Sequence, residues 1–487
     1  SDELYLSYPI ANMEGSALRP SMIISQIKNI FPNVDIQSNV LKENNEIYTP
    51  NEAFQPLLKN IRNYYDGKEI DSKWKNVYLW YYHHQPEKLL KVQSGFDYQN
   101  TIEYLDQCHS QKLYGKELYG SVSRLETYAN CPFSFYLRYG LKIKDRKVFR
   151  LDTPDVGLFL HDIIDAFSKY FMDRNVSLRD VTKEKADEIV SQLVDESLKD
   201  FKNHIFSSSN QMKVLSNKLK RVVKRMVWII INHIRSGEFE VEGTEVGFGK
   251  DKQFSAVQIE LGDGNKLNLT GVIDRIDIAK TEDGKFVRII DYKSYDKELK
   301  LSDIYYGLQL QLLVYLDASL SNTTDATTEN ELLPGGMLYL KLDDPIIKTK
   351  KDVSVEEIEA EIAKKLRMKG VILSDVRLLK AMDSNMISES SVLDLSIKKD
   401  GSYTAKVPTA SKEQFQDLMK HMKKILKQMG NEILSGNIKN EPVKMKSHTA
   451  CQYCDYQLIC GFDRELGNQY RVIHDLKNDD VLKKISD

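Results

Sequence analysis

The sequence predicts an α+β chain with an α/β segment inside it, and three observations carry that expectation. Helical patterns run to about residue 235, closely spaced strand patterns fill the stretch up to about 294, and helices and strands then alternate. Turn clusters such as "GDGN" and "TEDGK" separate the strand patterns. Helices followed by a block of strands describe segregated α+β layers, and the alternation that follows describes α/β packing.

The opening "DELYLSYPI" reads as a strand, and "SALRPSMIISQIKNIFP" as a helix entered through Pro20 and Ser21. "WKNVYLWYYHH" reads as an aromatic helix. Ser123 and Glu126 have capping-box spacing, so a helix is expected to start there and to kink at Pro132. "GLFLHDIIDAFSKYFMDR" repeats apolar residues at helical spacing, and two more helices are expected near 182–202 and 211–235. "FEVEGTEVGFG", "AVQIEL", "KLNLTGVIDRIDIAK" and "FVRIIDYKS" then read as an antiparallel meander. The helix "YYGLQLQLLVYLDASL", a polar loop, the strand "GMLYLKL", a helix from Ser354, the mixed "MKGVILSDVRLLKAMD", a strand near 403–407 and a long helix from Ser411 to about Leu434 complete the chain. Ser411 and Gln414 give that last helix a capping box.

The 487 residues are enough for two to four domains, and 41% hydrophobic with 29% charged residues is ordinary for a globular protein. A net charge of −2 neither supports nor excludes nucleic acid. No apolar run reaches the length of a membrane span, and no signal peptide opens the chain, so a cytoplasmic protein without membrane contact is expected. The start at Ser1 reads as a fragment of something longer. Five cysteines, an odd number, argue against a secreted disulfide framework.

"RIIDYKS" (288–294) places Asp291 and Lys293 two apart on an apolar strand, so both point to one face and Tyr292 to the other. Either they form a plain ion pair or they share a site. The neighbouring strand brings Asp274 beside Asp291, and two close carboxylates repel unless a cation lies between them. Mg²⁺ takes oxygen ligands and keeps several waters, and Lys293 on the same face could orient or deprotonate one. Asp277 rivals Asp274 but points to the opposite face of a regular strand. His161 alone reads as a core histidine and Glu245 alone as a solvated strand residue. Gln311 and Tyr315 share a helical face and could simply pack. The Lys/Arg cluster at 218–225 reads as a solvated face or a phosphate contact.

Asp274 followed by Asp291-Tyr292-Lys293 resembles the PD-(D/E)XK nuclease motif, and Gln311-Leu-Leu-Val-Tyr315 resembles the Q-x-x-x-Y motif of its RecB-like branch. His161 and Glu245 match the histidine and the acidic residue that such nucleases place earlier. The resemblance implies Asp274 and Asp291 as Mg²⁺ ligands, with Glu245 or His161 as further ligands. It also implies Lys293 as the residue that orients or activates water, and Gln311 and Tyr315 as residues that shape the site or hold DNA.

"CQYCDYQLICGFD" reads C-x2-C-x5-C, and Cys131 can complete a four-ligand set with Cys451, Cys454 and Cys460; His448 is the rival fourth ligand. Spacing alone leaves iron–sulfur and zinc both open. The iron–sulfur branch of these nucleases resembles this layout, which implies a [4Fe–4S] cluster stapling distant parts of the chain. Cys108 fits no motif and reads as a buried or half-buried thiol.

The N-terminal stretch, "MKGVILSDVRLLKAMD" and "TACQYCDYQLICGFD" together resemble the AddB (RexB-like) family of ATP-dependent helicase/deoxyribonuclease subunits. That implies three regions: the end of a superfamily 1 helicase-like domain (1–118), an iron–sulfur nuclease domain (119–470) and a tail (471–487). It implies an AddA-type helicase-nuclease partner in a heterodimer that resects double-strand DNA ends for recombinational repair, this domain trimming the 5′-ended strand. The sequence departs from a helicase in having no G-x-x-x-x-G-K-[ST] loop, so ATP hydrolysis is not expected of this chain. The rival expectations are an inactive nuclease fold acting as a DNA-binding and assembly module, and a zinc-stapled structural protein.

Overall fold

A computed structural model of the chain describes residues 5–11, 17–34, 49–96, 98–102, 104–144, 146, 153–200, 210–281, 284–322, 332–348, 353–384, 386, 389–398 and 403–486. Packing divides the chain between Tyr98 and Gln99.

The smaller unit is helical: α1 (Met22–Ile30), α2 (Pro50–Tyr65), α3 (Ser72–His84) and α4 (Pro86–Phe96). Its starts are chemically specified. Ser21, Thr49 and Asp71 each accept a backbone N–H from the first turn, and Pro50 takes the first helical position of α2, where no donor is needed. Leu57, Trp74, Tyr81 and Leu89 form its core. The expected opening strand is not formed over residues 5–9, and residues 1–4 lie outside the described residues.

The larger unit begins with α5 (Gln107–Tyr114), β1 (Glu117–Gly120), α6 (Val122–Asn130), the short α7 (Pro132–Phe135), α8 (Thr153–Met172), α9 (Lys183–Asp200) and α10 (Asn210–Ser236). Strands β2 (Glu240–Phe248), β3 (Val257–Glu260), β4 (Lys266–Leu269), β5 (Gly271–Thr281) and β6 (Gly284–Lys293) follow. Then come α11 (Leu301–Tyr305), α12 (Gln311–Asn322), β7 (Leu332–Lys341), α13 (Val355–Lys365), β8 (Lys369–Leu373), α14 (Val376–Met382), β9 (Leu395–Ile397), β10 (Tyr403–Ala405) and β11 (Thr409–Ala410). Helix α15 (Lys412–Leu434), β12 (Val443–Met445), β13 (His448–Thr449), α16 (Gln457–Cys460), β14 (Arg471–Ile473) and α17 (Asn478–Ser486) close it. Residues 99–118 and 471–487, expected to be a remnant and a tail, thus belong to the larger unit by packing.

Its centre is a mixed six-stranded sheet in the order β11-β8-β7-β6-β5-β2. β6 and β7 run parallel and are buried almost end to end, which is why both read as continuous apolar runs. A parallel pair needs a crossover, and α11 with α12 supplies it, α12 packing on β6 and β7.

Four expectations are corrected here. The strands around 257–269 do not continue the meander: β3 and β4 pair with each other and β4 pairs in parallel with β1, in a separate sheet. The chain changes sheets at Gly271, where a Cβ would meet the Phe248 ring at 2.7 Å. Ser123 and Glu126 form no capping box: α6 starts after Ser121, and the Glu126 carboxylate is used elsewhere. Pro132 breaks the helix rather than kinking it, so α6 ends at Asn130 and Pro132 opens α7. The Gln311 helix starts at Gln311 rather than near Tyr305, because Gly307 with φ +77° turns the chain first. The expected capping box of α15 is present, and Ser354 with Glu357 forms one at α13. In the 218–225 cluster, Lys220 pairs with Asp195 and both Arg221 and Arg225 pair with Asp344. The loop at 323–331 and residues 282–283 of the turn lie outside the described residues.

Candidate active site

Strand register assembles the site. β2 pairs with β5 as Thr244↔Arg275 and Val246↔Ile273, which brackets Glu245 against Asp274. β5 pairs with β6 as Arg275↔Ile290, and one residue further sets Asp274 against Asp291. Asp291 pairs with Tyr339 on β7, and Tyr339 with Lys369 on β8. One rung across five strands therefore reads Glu245, Asp274, Asp291, Tyr339, Lys369. Residues opposed in a ladder share a face, so the acidic side chains and the basic one lie along a single line.

At the acidic end, His161 of α8 joins the carboxylates. Among the described residues, His161, Glu245 and Asp274 form a group whose ligand atoms all lie within 4.8 Å of one another. His161 Nδ1 is 3.4 Å from Asp274 Oδ2, which also accepts the Tyr292 backbone N–H at 2.7 Å. Burial, reinforced by the neighbouring Asp291, raises the Asp274 carboxyl well above the usual range. Burial, then Asp165 and Asp162, pushes Glu245 up to about 7. Burial lowers His161, keeping the imidazole neutral and a ring lone pair available. Glu245 has φ +49°, a left-handed conformation that a glutamate adopts only when its surroundings hold it there. Two carboxyls held up by desolvation and mutual repulsion, with a neutral imidazole, suit a cation that would relieve both.

Asp291 is 1% exposed, and both its oxygens are engaged: Lys293 Nζ pairs with Oδ2, and Gln311 Nε2 donates to Oδ1 at 2.9 Å. It therefore borders the histidine–carboxylate group without being one of its three members. Burial pulls the Lys293 ammonium down, but the Asp291 carboxylate more than offsets this and holds it above its usual range. Gln311 Nε2 also lies 2.9 Å from the Tyr315 hydroxyl. The two residues are linked through polar atoms at the site as well as by packing. Asp277 points the other way, where its carboxylate accepts from Arg275 at 2.6 Å and from Arg288 at 2.9 Å inside the protein. It is a structural anchor of the back face.

Cys131, Cys451, Cys454 and Cys460 line one cavity of about 380 Å³. His448 is exposed and does not line it, and Cys108 is exposed rather than buried. Burial pushes Cys131 up to about 12 and Cys460 up to about 11, so the thiols stay protonated unless a cation displaces the protons. No three of these cysteine sulfurs lie within 4.8 Å of one another. A tetrahedral zinc with Zn–S near 2.3 Å would bring its thiolates to about 3.8 Å apart. The cavity gathers four thiols from two distant segments, a donor set that either an iron–sulfur cluster or a structural zinc accepts.

A family model of the PD-(D/E)XK nuclease superfamily matches residues 120–461, the stretch that contains every residue of this rung and all four cysteines of the cavity. The chain belongs to the PD-(D/E)XK nuclease superfamily. A second model, the fifth domain of the ATP-dependent helicase/deoxyribonuclease AddB, matches residues 42–95 within the smaller unit. The chain is 42% identical over its whole length to the B-type subunit of the ATP-dependent helicase/deoxyribonuclease of Clostridium tetani, covering 43% of that protein. It is 41% identical to the protein of the same name from Alkaliphilus metalliredigens, again covering 43% of it. The chain thus spans less than half the length of these relatives.

Three side chains of this PD-(D/E)XK core were not expected at the site from the sequence. The Glu126 carboxylate accepts the backbone N–H groups of Leu310 and Gln311 at 2.7 and 3.0 Å, capping α12 from a distant segment. Lys297 stands 4.9 Å from the Tyr339 ring, which Lys293 also approaches at 5.7 Å. Glu126 carried a visible but misread signal in its spacing from Ser123; Lys297 and Tyr339 carried none.

Proposed function

We propose that the larger unit is a Mg²⁺-dependent deoxyribonuclease that hydrolyses phosphodiester bonds of single-stranded DNA. The observation that supports this most is the convergence of His161, Glu245 and Asp274 within 4.8 Å beside the Asp291–Lys293 pair. His161, Glu245 and Asp274 would hold the cation, with Asp291 free to join once Lys293 turns to substrate. Such a cation supplies Lewis acidity toward the phosphoryl group. The chain's own residues do the rest. Lys293 brings a fixed positive charge to the point where negative charge develops on the phosphoryl oxygens, and it can orient the attacking water. Gln311 fixes Asp291, and through it the resting place of Lys293. Neutral His161 would offer a ring-nitrogen lone pair to the cation beside Asp274.

The four cysteines would hold a [4Fe–4S] cluster that clasps the 126–140 segment to the 437–468 segment. By similarity to these helicase/deoxyribonuclease relatives, the chain would act in a cytoplasmic heterodimer with an AddA-type helicase-nuclease, trimming the 5′-ended strand at double-strand breaks. The test is cleavage of single-stranded DNA, with and without Mg²⁺, by the anaerobically purified chain and by Lys293→Ala. Mg²⁺-dependent cutting that disappears in the variant supports the reading. Cutting that survives moves the chemistry elsewhere. Binding without cutting, also with an AddA-type partner present, supports the rival reading of an inactive assembly module.

A further inference from the structure

The rung that begins in carboxylates ends in bases. Beyond Lys293 lies a second concavity, of about 250 Å³, separate from the acidic group. Six cations line it: Lys293, Lys297, Lys341, Lys365, Arg367 and Lys369. They come from β6 and the loop after it, from β7, from α13 and the turn after it, and from β8, so no local run of sequence announces them. Only two lining residues are acidic, Asp296 and Asp343, in a chain whose net charge is −2.

Four of the six cations are held in ion pairs. Lys369 pairs with Asp296 at 2.7 Å and Glu298 at 3.6 Å, Lys341 with Asp343 at 2.6 Å, and Lys293 with Asp291. Arg367 reaches Glu389 and Asp394 at 3.4 Å each, and its Nε is buried with no hydrogen-bond partner. Lys297 has no ion-pair partner among the described residues and rests against the Tyr339 ring, 4.9 Å from its centre. Tyr339 itself is 3% exposed, and its hydroxyl has no hydrogen-bond partner. A buried hydroxyl and a buried guanidinium N–H left without partners are costly unless a ligand supplies acceptors. A phosphate has acceptor oxygens and the charge to match.

We infer that this pocket is a phosphate subsite. It holds a phosphate of the substrate strand neighbouring the one cleaved at Asp274, Asp291 and Lys293, with Lys297 and Arg367 as its direct contacts. The inference rests on the nuclease reading, because Lys293 stands between the two places. The pocket positions the strand so that the next phosphodiester meets Lys293. Its recognition is of phosphate, whatever the base. The phosphate is either an internal phosphodiester or a terminal phosphomonoester.

The test is equilibrium binding of short oligothymidylates by the full chain in EDTA, where no cleavage occurs. The strands carry a 5′-phosphate, a 3′-phosphate or neither, and salt is titrated. Lys297→Gln and Arg367→Gln should each weaken binding by about 3- to 10-fold and lower the slope of log K against log salt by about 0.7, alike for an oligomer of another base. Lys297→Arg should restore both. A loss confined to strands phosphorylated at one end assigns the pocket to a terminal phosphate, and an equal loss for all three to an internal one. Unchanged affinity and slope in both variants, or no DNA binding by the wild type, overturns the subsite. A wild type that binds in this manner yet never cuts with Mg²⁺ would instead overturn the nuclease reading and leave the subsite standing.

Discussion

The Glu126 carboxylate accepts the backbone N–H of Gln311 at 3.0 Å, across 185 residues of sequence. Helix α12 therefore starts where a side chain from α6 tells it to, and Gln311, the first residue of α12, is the one that holds Asp291.

Removing that cap should loosen the site before it unfolds the protein. Glu126→Ala is expected to lower stability by about 1–2 kcal/mol, the usual effect of losing a helix cap. It is expected to reduce cleavage more than binding, since Gln311 loses its seat. Denaturant titration alongside kcat and KM checks this; a full-stability, full-activity variant would refute it.

The Asp291–Lys293 pair should show strong non-additivity. Lys293→Ala leaves the Asp291 carboxyl at 1% exposure without its ammonium partner, a change expected to cost on the order of 3 kcal/mol. Adding Asp291→Asn removes the unpartnered acid, so the double variant should be more stable than Lys293→Ala alone. Both should lose about 10²- to 10³-fold or more in cleavage. Chemical denaturation of the four proteins of the cycle decides the matter, and simple addition of the two single effects would count against it.

The acid limb of stability should trace to His233. Burial, then the charges of Arg288 and Arg275, holds its imidazole down to about 3 against an ordinary 6.5. Unfolded chains take up this proton below about 6.5 and the folded chain does not until about 3, so folding stability is lost as pH falls through that window. Neither ring nitrogen has a hydrogen-bond partner. His233→Leu should therefore flatten the acid limb by on the order of 1 kcal/mol per pH unit. Melting curves between pH 4 and 7 would show it, and parallel curves for the two proteins would exclude it.

Loss of the cysteine cluster should release the clasp. Cys131→Ser is expected to abolish bound iron and visible absorbance, lower Tm, and expose the 437–468 segment to protease. Iron analysis and timed proteolysis measure this. Zinc in place of iron, or unchanged protease resistance, would defeat it.

Part of the candidate site was legible in the sequence because several of its residues sit in short patterns of their own. Asp291 and Lys293 share strand parity, Gln311 and Tyr315 share helical spacing, and strand parity also separated Asp274 from Asp277, which the buried Arg275 and Arg288 confirm. The strands β3 and β4 were legible as strands, but their partner was not. Pairing with β1 joins Glu117 to Lys266, and no local pattern encodes a contact that remote. Glu126 was misread because Ser-x-x-Glu is a local pattern, whereas its carboxylate found a better use in tertiary structure. The basic pocket was invisible for a related reason: its cations come from several elements, and only the sheet brings them together.

The clasp between the two ends of the larger unit also sets an order of events during synthesis. Asn100 donates to the carbonyls of Cys460 and Gly461 at 2.8 Å, Ser110 to that of Ile433 at 3.0 Å, and Tyr128 to Glu432 at 3.0 Å. Each joins residues more than three hundred positions apart. On the ribosome, segments near Asn100 emerge long before their partners exist, while the β5–β6 hairpin can close at once. Folding should proceed outward from the sheet, with the first-made residues among the last to settle. Until the cysteine loop arrives, Phe133, Leu137 and the rest of that early segment remain uncovered, and this is the interval in which the nascent chain is most exposed to aggregation.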